Sequence, residues 1–474
     1  MFGRDDDDSS NKPKRPDAAP SSRFGRLARL GALAPKAFPF AAEAIRKAMG
    51  GERTEDEEFA AHAKLLLEVK KTADAMLATL GEMKGLPLKF GQMASYIDGL
   101  APPGYEEKFH SVLSKLQQKA PPLSVEAARQ AVIRELGASP EELFESFELE
   151  PFAAASIGQV HRARTRTGDD VAVKVQYPGI DKAVENDLKS VGLIEQMIAP
   201  IGRKYHTKET LDEVRRVFLA ELDYGQEAEH AELFRAMHEG DDSIVVPRVF
   251  HSLSSKRVLT TELIGGVDYA TFVAEASEEE KSAAGQTIAR FMFRALFKYG
   301  WLYADPHPGN YRFLGGGRVA FLDYGCVRRL PDELVAGMKR YTRALQDGDD
   351  AEFERACVEV LGYDPTDAEG WPIYTSYTRV ILEPIVRDGE FTYTHEFARE
   401  AVAYLVRNGR GVIFKEGQTL PSLPKPIHMP PEHTFVNRLQ WGLASVLAGL
   451  GARGNWRALI DDWLRGPVVP VPGR

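Results

Sequence analysis

The sequence predicts an α+β protein in which a strand-rich lobe precedes a mainly helical lobe. Between 127 and 265, short runs of β-branched and apolar residues alternate with turn residues, which is typical of a small sheet. After 267 the pattern is mainly helical. With 474 residues, 43% of them hydrophobic, the chain can bury a large core in two or three structural units.

Two β-rich runs joined by a turn form the first unit of the predicted sheet. They lie at 151–160 (PFAAASIGQV) and 171–174 (VAVK), with the turn TGDD at 167–170 between them. The lysine of such a strand, here Lys174, contacts the α- and β-phosphates of ATP in kinases. Taken singly, such a lysine is more often an edge-strand charge or a side chain that extends to solvent than a ligand of phosphate.

A second pattern joins YADPHPGN at 303–310 to LDYG at 322–325. Asp305 precedes Asn310 by five positions and Asp323 by eighteen, which is the layout of a kinase catalytic loop and its metal-binding aspartate. Asp305 would orient a hydroxyl or a water, while Asn310 and Asp323 would hold Mg²⁺ against the phosphates. Each pattern alone is also typical of turns between strands.

The other elements follow in the order of a kinase sheet. The run 258–266 predicts a buried strand that enters a glycine-rich hinge, where backbone groups near Glu262 and Ile264 would pair with an adenine edge. The loop over the phosphates carries alanine where kinases have glycine, so methyl groups replace close backbone approach. Its nucleotide-binding candidates are Ala153, Ala154, Ala155, Ser156, Gly158 and Val160. Together these elements predict a protein-kinase-like two-lobed fold with an ATP site.

Two departures narrow the class of kinase. A long insertion at 180–220 follows the lysine strand, so the carboxylate that orients Lys174 is predicted to be Glu227. Glu221 and Asp223 add two more carboxylates just before it, and the N-lobe is predicted to include a helix that bears this E-x-D sequence. After the DYG sequence the chain passes directly into a helical run, and no A-P-E segment follows. The platform on which protein kinases bind a peptide is therefore predicted to be missing.

The sequence resembles the UbiB or AarF-like atypical kinases, the ABC1 domain family. The resemblance rests on the motifs described above and on two further ones, KFGQ at 89–92 and LQQKAPP at 116–122. The resemblance covers the chain from about residue 23 to the C-terminal region. It implies an N-terminal helical extension that packs over the active site. The lid residues that it implies are Lys89 and Gln92, which would meet Glu221 and Asp223.

The same resemblance implies a role in ubiquinone or other isoprenoid-lipid metabolism, with a prenyl-lipid or quinone-precursor ligand as a partner. At Tyr303 the sequence departs from the family, whose members commonly carry histidine there. That histidine braces the loop, and we expect a tyrosine to replace it structurally with altered geometry. The loop is also similar to that of aminoglycoside and choline phosphotransferases, which favours a non-protein acceptor, although His307 is equally suited to stabilising the loop.

Four segments are predicted along the chain. Residues 1–22 have too little apolar surface to order and are predicted to be a disordered tail. Residues 23–125 would form the helical extension with the K-x-G-Q sequence. Residues 126–265 would form the N-lobe with the alanine-rich loop, and residues 266–474 the mainly helical C-lobe with the catalytic loop.

Composition excludes several classes of partner and site. The net charge of -9 argues against nucleic acid, because binders of nucleic acid concentrate positive charge. Two cysteines provide neither a disulfide framework nor a metal-ligand spacing. The longest stretch without charged residues near the C-terminal end of the sequence, 439–452, has fourteen residues, whereas a membrane-spanning helix needs about twenty.

The segment 23–47 interleaves basic and apolar residues, which is compatible with peripheral contact at an anionic membrane. A helix that docks its apolar stripe on the protein core accounts for the same pattern. The sequence predicts a cytoplasmic protein. Peripheral contact at the inner face of the membrane is the form of membrane association that the segment allows.

The function that these observations predict is that of an atypical kinase or ATPase that uses ATP and Mg²⁺. Hydrolysis or phosphorylation of a small molecule is favoured over phosphorylation of protein. Two alternatives stay open, namely a protein kinase acting in trans and a non-catalytic nucleotide-binding scaffold of a lipid-biosynthetic complex.

Overall fold

The structure is a computed structural model that describes residues 123–155, 157–182, 184–185, 219, 221–408 and 433–473. The predicted tail, nearly all of the helical extension and most of the 180–220 insertion lie outside these residues. The predicted site residues that lie outside them are Lys89, Gln92 and Ser156.

An antiparallel five-stranded sheet forms the first part of the described chain. Its spatial order is β1-β3-β4-β6, and β2 pairs with β3 at one end. The strands are β1 (Phe144–Phe147), β2 (Ala153–Ala154), β3 (Gly158–Thr165), β4 (Asp170–Gln176) and β6 (Val258–Glu262). The fifth strand in chain order, β5 (Ile244–Val245), belongs to another sheet.

Two helices, α1 (Val125–Leu136) and α2 (Pro140–Leu143), precede the sheet. Ser124 caps α1 by accepting a hydrogen bond from the amide of Ala127, and Gly137 ends it at a φ of 79°, a conformation that favours glycine. The valines of β4 pack with residues of α1 in one apolar cluster. Because side chains alternate along a strand, Lys174 points to the opposite face of the sheet.

Helix α3 (Tyr224–Met237) lies against β6 and carries Glu227 in its first turn. Asp223 is its N-cap, because the carboxylate accepts a hydrogen bond from the amide of Gly225 at 3.0 Å, and Glu221 precedes the cap.

The second part is mainly helical, and a continuous apolar core connects it to α3. A π-helical turn at Arg294–Lys298 extends α5. The helices are α4 (Tyr269–Glu275), α5 (Glu278–Phe293), α6 (Asp332–Asp347), α7 (Asp350–Leu361), α8 (Gly370–Val386), α9 (His395–Asn408), α10 (His433–Leu450) and α11 (Trp456–Arg465).

Short strand pairs hold the two loops predicted to be catalytic. Strand β7 (Trp301–Tyr303) pairs with β10 (Val327–Arg329), and β8 (Tyr311–Phe313) pairs with β9 (Val319–Phe321), both antiparallel. Strand β5 runs parallel to β9, and β11 (Phe391–Thr392) pairs with β12 (Arg453–Gly454). Because each loop leaves one strand pair and enters the other, the two loops are brought side by side.

Both cysteines, Cys326 and Cys357, are buried and free. Burial raises the pKa of the Cys357 thiol to about 12. Over the described ranges, no helix combines the length and the apolar character that crossing a bilayer requires.

One lysine of the helical part is buried beside a backbone carbonyl. Lys339 of α6 is 4% exposed, and its Nζ donates a hydrogen bond to Gly466 O at 2.8 Å. Burial, together with the charge of Arg343, lowers the pKa of Lys339 to about 8. The unfolded chain therefore binds a proton more tightly at this position than the folded chain does.

We expect Lys339→Met to raise the free energy of unfolding by about 1 to 2 kcal/mol at pH 7, because removal of the desolvated charge outweighs loss of one hydrogen bond. The gain should disappear near pH 10, where the lysine of the folded wild type is already neutral. Urea denaturation at both pH values measures the difference, with the exposed Lys182→Met as control. A loss of stability at pH 7 would contradict the expectation.

Candidate nucleotide site

A cavity of about 320 Å³ lies between the sheet and the mainly helical part. Strands β2, β4 and β6 contribute one wall, and the two predicted catalytic loops contribute the other. It is lined by Phe152, Ala153, Ala154, Ala155, Val160, Ala172, Lys174, Glu227, Leu259, Thr261, Glu262, Leu263, Ile264, Asp305, His307, Gly309, Asn310, Arg312, Leu322 and Asp323.

A lysine with two carboxylate partners occupies the inner wall of the cavity. Lys174 Nζ lies 2.8 and 2.9 Å from the two carboxylate oxygens of Glu227 and 3.3 Å from Asp323 Oδ2. It also lies 4.8 Å from the ring centroid of Tyr224, a cation–π contact. The sequence separations are 53 and 149 residues, so the tertiary fold assembles this group.

Burial and charge act in opposite directions on this ion pair. Burial lowers the pKa of Lys174, but the carboxylates of Asp323 and Glu227 outweigh it, so the net shift is upward and the ammonium stays charged. For Glu227, burial raises the pKa to about 7, and the charge of Lys174 offsets this only in part. The pair therefore presents a fixed cation to the cavity, beside a carboxylate that is only 5% exposed.

The predicted catalytic loop forms a compact turn at the edge of the cavity. The amide of Asn310 donates from Nδ2 to the backbone carbonyl of Asp305 at 3.0 Å and, at 3.4 Å, to its carboxylate Oδ2. His307 accepts a hydrogen bond at Nδ1 from the amide of Gly309 at 2.9 Å and caps the 3₁₀ turn at Pro308–Asn310. Of the two uses suggested for His307, this contact favours stabilisation of the loop.

Asp323 lies beside that turn, and backbone bonds hold the two loops together. The amide of Leu322 donates to Asn310 O, and the amide of Ala304 donates to Cys326 O, both at 2.9 Å. The carboxylate of Asp323 accepts from the amide of Gly325 at 2.9 Å through Oδ1 and contacts Lys174 through Oδ2.

The loop residues have the oxygen chemistry that Mg²⁺ prefers. Since Asn310 donates through its amide nitrogen, its carbonyl oxygen Oδ1 is the atom suited to a cation, and Asp323 adds a carboxylate. In the part of the chain that the structure describes, three or more His, Cys, Asp or Glu side chains do not gather as a metal-ligand group. Mg²⁺ is usually bound by one or two carboxylates together with substrate phosphates and water.

The alanine-rich loop covers the cavity as a short hairpin. Ala153 pairs with Val160, and the amide of Ala155 donates to Gly158 O at 2.9 Å. Gly158 cannot carry a side chain here, because a Cβ would lie 2.4 Å from Val175 O. Ala153, Ala154, Ala155 and Val160 line the cavity, whereas Gly158 is not among its lining residues.

The predicted hinge follows β6 and also lines the cavity. Glu262 and Ile264 are part of the wall, and Leu263 donates from its amide to Asp170 O at 3.0 Å. Gly266 adopts a φ of 89°, and a Cβ on it would lie 2.5 Å from Phe313 O. Glycine at this position therefore lets the hinge pass close to β8.

A second cavity, of about 300 Å³, lies behind α3 and shares Glu227 with the first. Glu221 and Asp223 line this second cavity and are not among the residues that line the nucleotide cavity. Asp223 also forms an ion pair with Lys256 at 3.3 Å. The predicted meeting of the pair with Lys89 involves residues outside the described ranges.

Two further residues, Arg312 and His230, lie at the cavity or contact its loops, although no motif in the sequence assigns them a role. Arg312 lines the nucleotide cavity because Tyr311 and Phe313, its neighbours in β8, are buried and strand alternation turns it to the other side. His230 contacts the DYG backbone from α3. The signal for Arg312 is its position two residues after Asn310, whereas no local pattern indicates the contact of His230.

Comparison with known proteins agrees with this geometry. The family model described as the ABC1 atypical kinase-like domain matches residues 115–356. The solved structure of Rv3197 from Mycobacterium tuberculosis, in complex with erythromycin, superposes with a TM-score of 0.59 at 26% identity and covers 88% of this chain and all of that one. The mixed α+β kinase-like fold predicted from the sequence is thereby confirmed for the described residues.

Curated relatives include two mitochondrial atypical kinases. COQ8B of Danio rerio is 30% identical over 334 residues, which are 70% of this chain and 52% of that protein. COQ8 of Saccharomyces cerevisiae is 25% identical over 451 residues, which are 94% of this chain and 85% of the relative. The chain spans about half the length of several relatives, including 52% of the Danio rerio protein and 42% of one from Synechocystis. The family match, the fold and the residues that line the cavity lead to one conclusion, that this chain belongs to the ABC1 atypical kinase-like family.

Proposed function

We propose that the chain binds Mg-ATP in the cavity between the sheet and the helical part and cleaves or transfers its γ-phosphate. Lys174 would position the phosphates, with Glu227 orienting the lysine. Asn310 and Asp323 would hold Mg²⁺, which neutralises phosphate charge when it is bound. Asp305 would orient the attacking hydroxyl or water and take its proton.

One observation carries this proposal above the others. Lys174 Nζ touches Glu227 and Asp323 at the same time, in a cavity that Asp305 and Asn310 also line. A buried lysine would need only one carboxylate for stability. Asp323 is a second carboxylate beside the lysine, and it lines the cavity. This fits a site in which an anionic ligand binds next to Lys174 and its cation binds next to Asp323.

The nature of the acceptor is the next step of the proposal. After Gly325 the chain forms β10 and enters α6 within a few residues, at Asp332. Over these described residues the chain is too short to form the extended segment on which a peptide substrate would lie. We propose that water or a small molecule is the acceptor rather than a protein hydroxyl.

The metabolic role is proposed from the relatives and from the family resemblance. We propose that the activity supports ubiquinone or other isoprenoid-lipid metabolism, with a prenyl-lipid or quinone precursor as ligand. We further propose a cytoplasmic location with peripheral contact at the inner face of the membrane. In this proposal Lys89 and Gln92 act as lid residues opposite Glu221 and Asp223.

Phosphate release by the purified full chain tests the proposal. ATP and Mg²⁺ are supplied alone, with vesicles of anionic phospholipid, or with a prenylated phenol, and Asp323→Asn serves as the blank. Release of phosphate that depends on Asp323 supports an ATPase, and a phosphorylated phenol supports a small-molecule kinase. Transfer of label to protein in trans would favour the protein-kinase alternative. Nucleotide binding without turnover would favour the scaffold.

Removal of Mg²⁺ is expected to weaken ATP binding by about tenfold. Without the cation, the triphosphate would face the carboxylates of Asp305 and Asp323 with only the ammonium of Lys174 to offset the negative charge. Isothermal titration of ATP with and without EDTA measures the effect. In Asp323→Asn the dependence on Mg²⁺ should fall below about threefold, and an unchanged dependence would remove Asp323 from the proposed metal site.

A further inference from the structure

Helix α3 makes three successive contacts with the nucleotide site, one on each turn of the same face. Glu227 pairs with Lys174, His230 contacts the backbone of Tyr324, and Phe234 packs against the Tyr324 ring with centroids 5.5 Å apart. Residues three and four apart share one face of a helix, so a single rigid element sets all three contacts.

The contact of His230 is a hydrogen bond to the residue that follows Asp323. The distance from His230 Nδ1 to Tyr324 O is 3.2 Å. A carbonyl oxygen can only accept, so Nδ1 carries the proton and donates it. The imidazole also lies edge-on to Trp301, with ring centroids 6.0 Å apart, which restricts its rotation.

Tyr303 does not provide such a bond. Its hydroxyl is buried and has no hydrogen-bond partner among the described residues. Its ring packs against Phe234 and Tyr324, at centroid distances of 5.9 and 6.0 Å. Tyr303 therefore supports the loop by packing alone.

We propose that His230 is a positioning residue that fixes the backbone of Tyr324 and thereby the orientation of Asp323, whose carboxylate would hold Mg²⁺. This proposal rests on the proposed function, because it assigns His230 to the same Mg-ATP site. Helix α3 then couples the phosphate-binding lysine to the metal-binding aspartate, since Glu227 orients Lys174 and His230 orients Asp323. In this chain a histidine on the helix supplies the polar brace that Tyr303 cannot supply.

The chain offers a conservative replacement that separates positioning from packing. Asparagine places an amide Nδ2–H near the position of the imidazole Nδ1–H but loses the ring that faces Trp301. Alanine loses both. A matched control is His251→Ala, because the side chain of His251 is 63% exposed and lies outside the cavity lining.

The experiment measures ATP turnover against Mg²⁺ concentration for full-length wild type, His230→Ala, His230→Asn and His251→Ala. We expect His230→Ala to raise the half-saturating Mg²⁺ concentration by about five- to tenfold, the effect of one lost hydrogen bond. Asparagine should restore it to within about twofold of wild type. The affinity for ATP in EDTA should be equal in all four proteins.

Two outcomes would overturn the inference while leaving the proposed function intact. One is a wild-type Mg²⁺ dependence in His230→Ala. The other is an equal loss in the alanine and asparagine variants that follows their urea midpoints, which would assign His230 to packing against Trp301. If wild type binds no ATP, the proposed function itself fails, and the inference fails with it.

Discussion

Replacing Asp305 with asparagine is expected to lower the rate of ATP turnover by about 10²- to 10⁴-fold, the usual contribution of a positioned general base. Asparagine has nearly the same size and can still accept the hydrogen bond from Asn310. It cannot take a proton from a hydroxyl or a water. The change should therefore act on kcat, while the affinity for Mg-ATP stays within about threefold of wild type.

Single-turnover phosphate release and equilibrium binding of ATP measure these two effects separately. Asp242→Asn is a suitable control, because this exposed aspartate lies outside the cavity. If Asp305→Asn retained wild-type turnover, Asp305 would be neither base nor orienter. A parallel loss of binding and turnover would instead assign the carboxylate to the architecture of the loop, through its contact with Asn310.

The catalytic constellation is predictable from sequence because its parts are local. The five-residue step from Asp305 to Asn310 spans a single turn, and the backbone bonds of the two strand pairs then bring Asp323 beside it. Lys174 is predictable because the alternation of β4 buries its valines on one face and leaves the lysine on the other.

Helix boundaries are less predictable where a polar residue has two suitable roles. Asp223 is the N-cap of the helix that carries Glu227, because its carboxylate accepts a hydrogen bond from the amide of Gly225 and the helix begins at the next residue. The sequence held a signal for this, since aspartate followed three residues later by glutamine is typical of a helix start. Helix α1 was not predicted, although Ser124 and Gly137 mark its two ends.

Contacts between distant elements could not be predicted from local patterns. The bond from His230 to Tyr324 O joins residues 94 positions apart, and it depends on how α3 lies over the DYG turn. Arg312 reaches the cavity only because β8 turns its flanking aromatic residues into the core. Such contacts are set by packing, for which the sequence provides no simple period.

Replacing Lys174 with methionine is expected to lower the free energy of unfolding by about 3 to 5 kcal/mol at pH 8, because it leaves a buried carboxylate without its partner. The side chain of Glu227 is 5% exposed, and both of its oxygens accept hydrogen bonds from Lys174. For comparison, Lys256→Met removes a lysine that is 69% exposed and paired with Asp223. That control should change stability by less than about 1 kcal/mol.

The pH dependence gives this prediction its sign. Burial already raises the pKa of Glu227 to about 7 in wild type, above its value of about 4.3 in an unfolded chain. Loss of the lysine raises it further, since the ammonium favours the charged form. Between the pKa of Glu227 in the unfolded chain and its pKa in the folded chain, the folded state binds one more proton than the unfolded state, so the free energy of unfolding decreases as pH rises. The destabilisation by Lys174→Met should therefore be smaller at pH 5.5 than at pH 8.

A double variant isolates the unpaired charge as the cause. Lys174→Met combined with Glu227→Gln replaces the carboxylate by a neutral amide, so most of the stability lost at pH 8 should return and the difference between the two pH values should shrink. Urea denaturation of the two single variants, the double variant and wild type forms a complete mutant cycle. Equal destabilisation at both pH values, without recovery in the double variant, would mean that Lys174 stabilises the fold through the cation–π contact of its ammonium group with the Tyr224 ring. In that case the ion pair would have no part in the stability of the cavity wall.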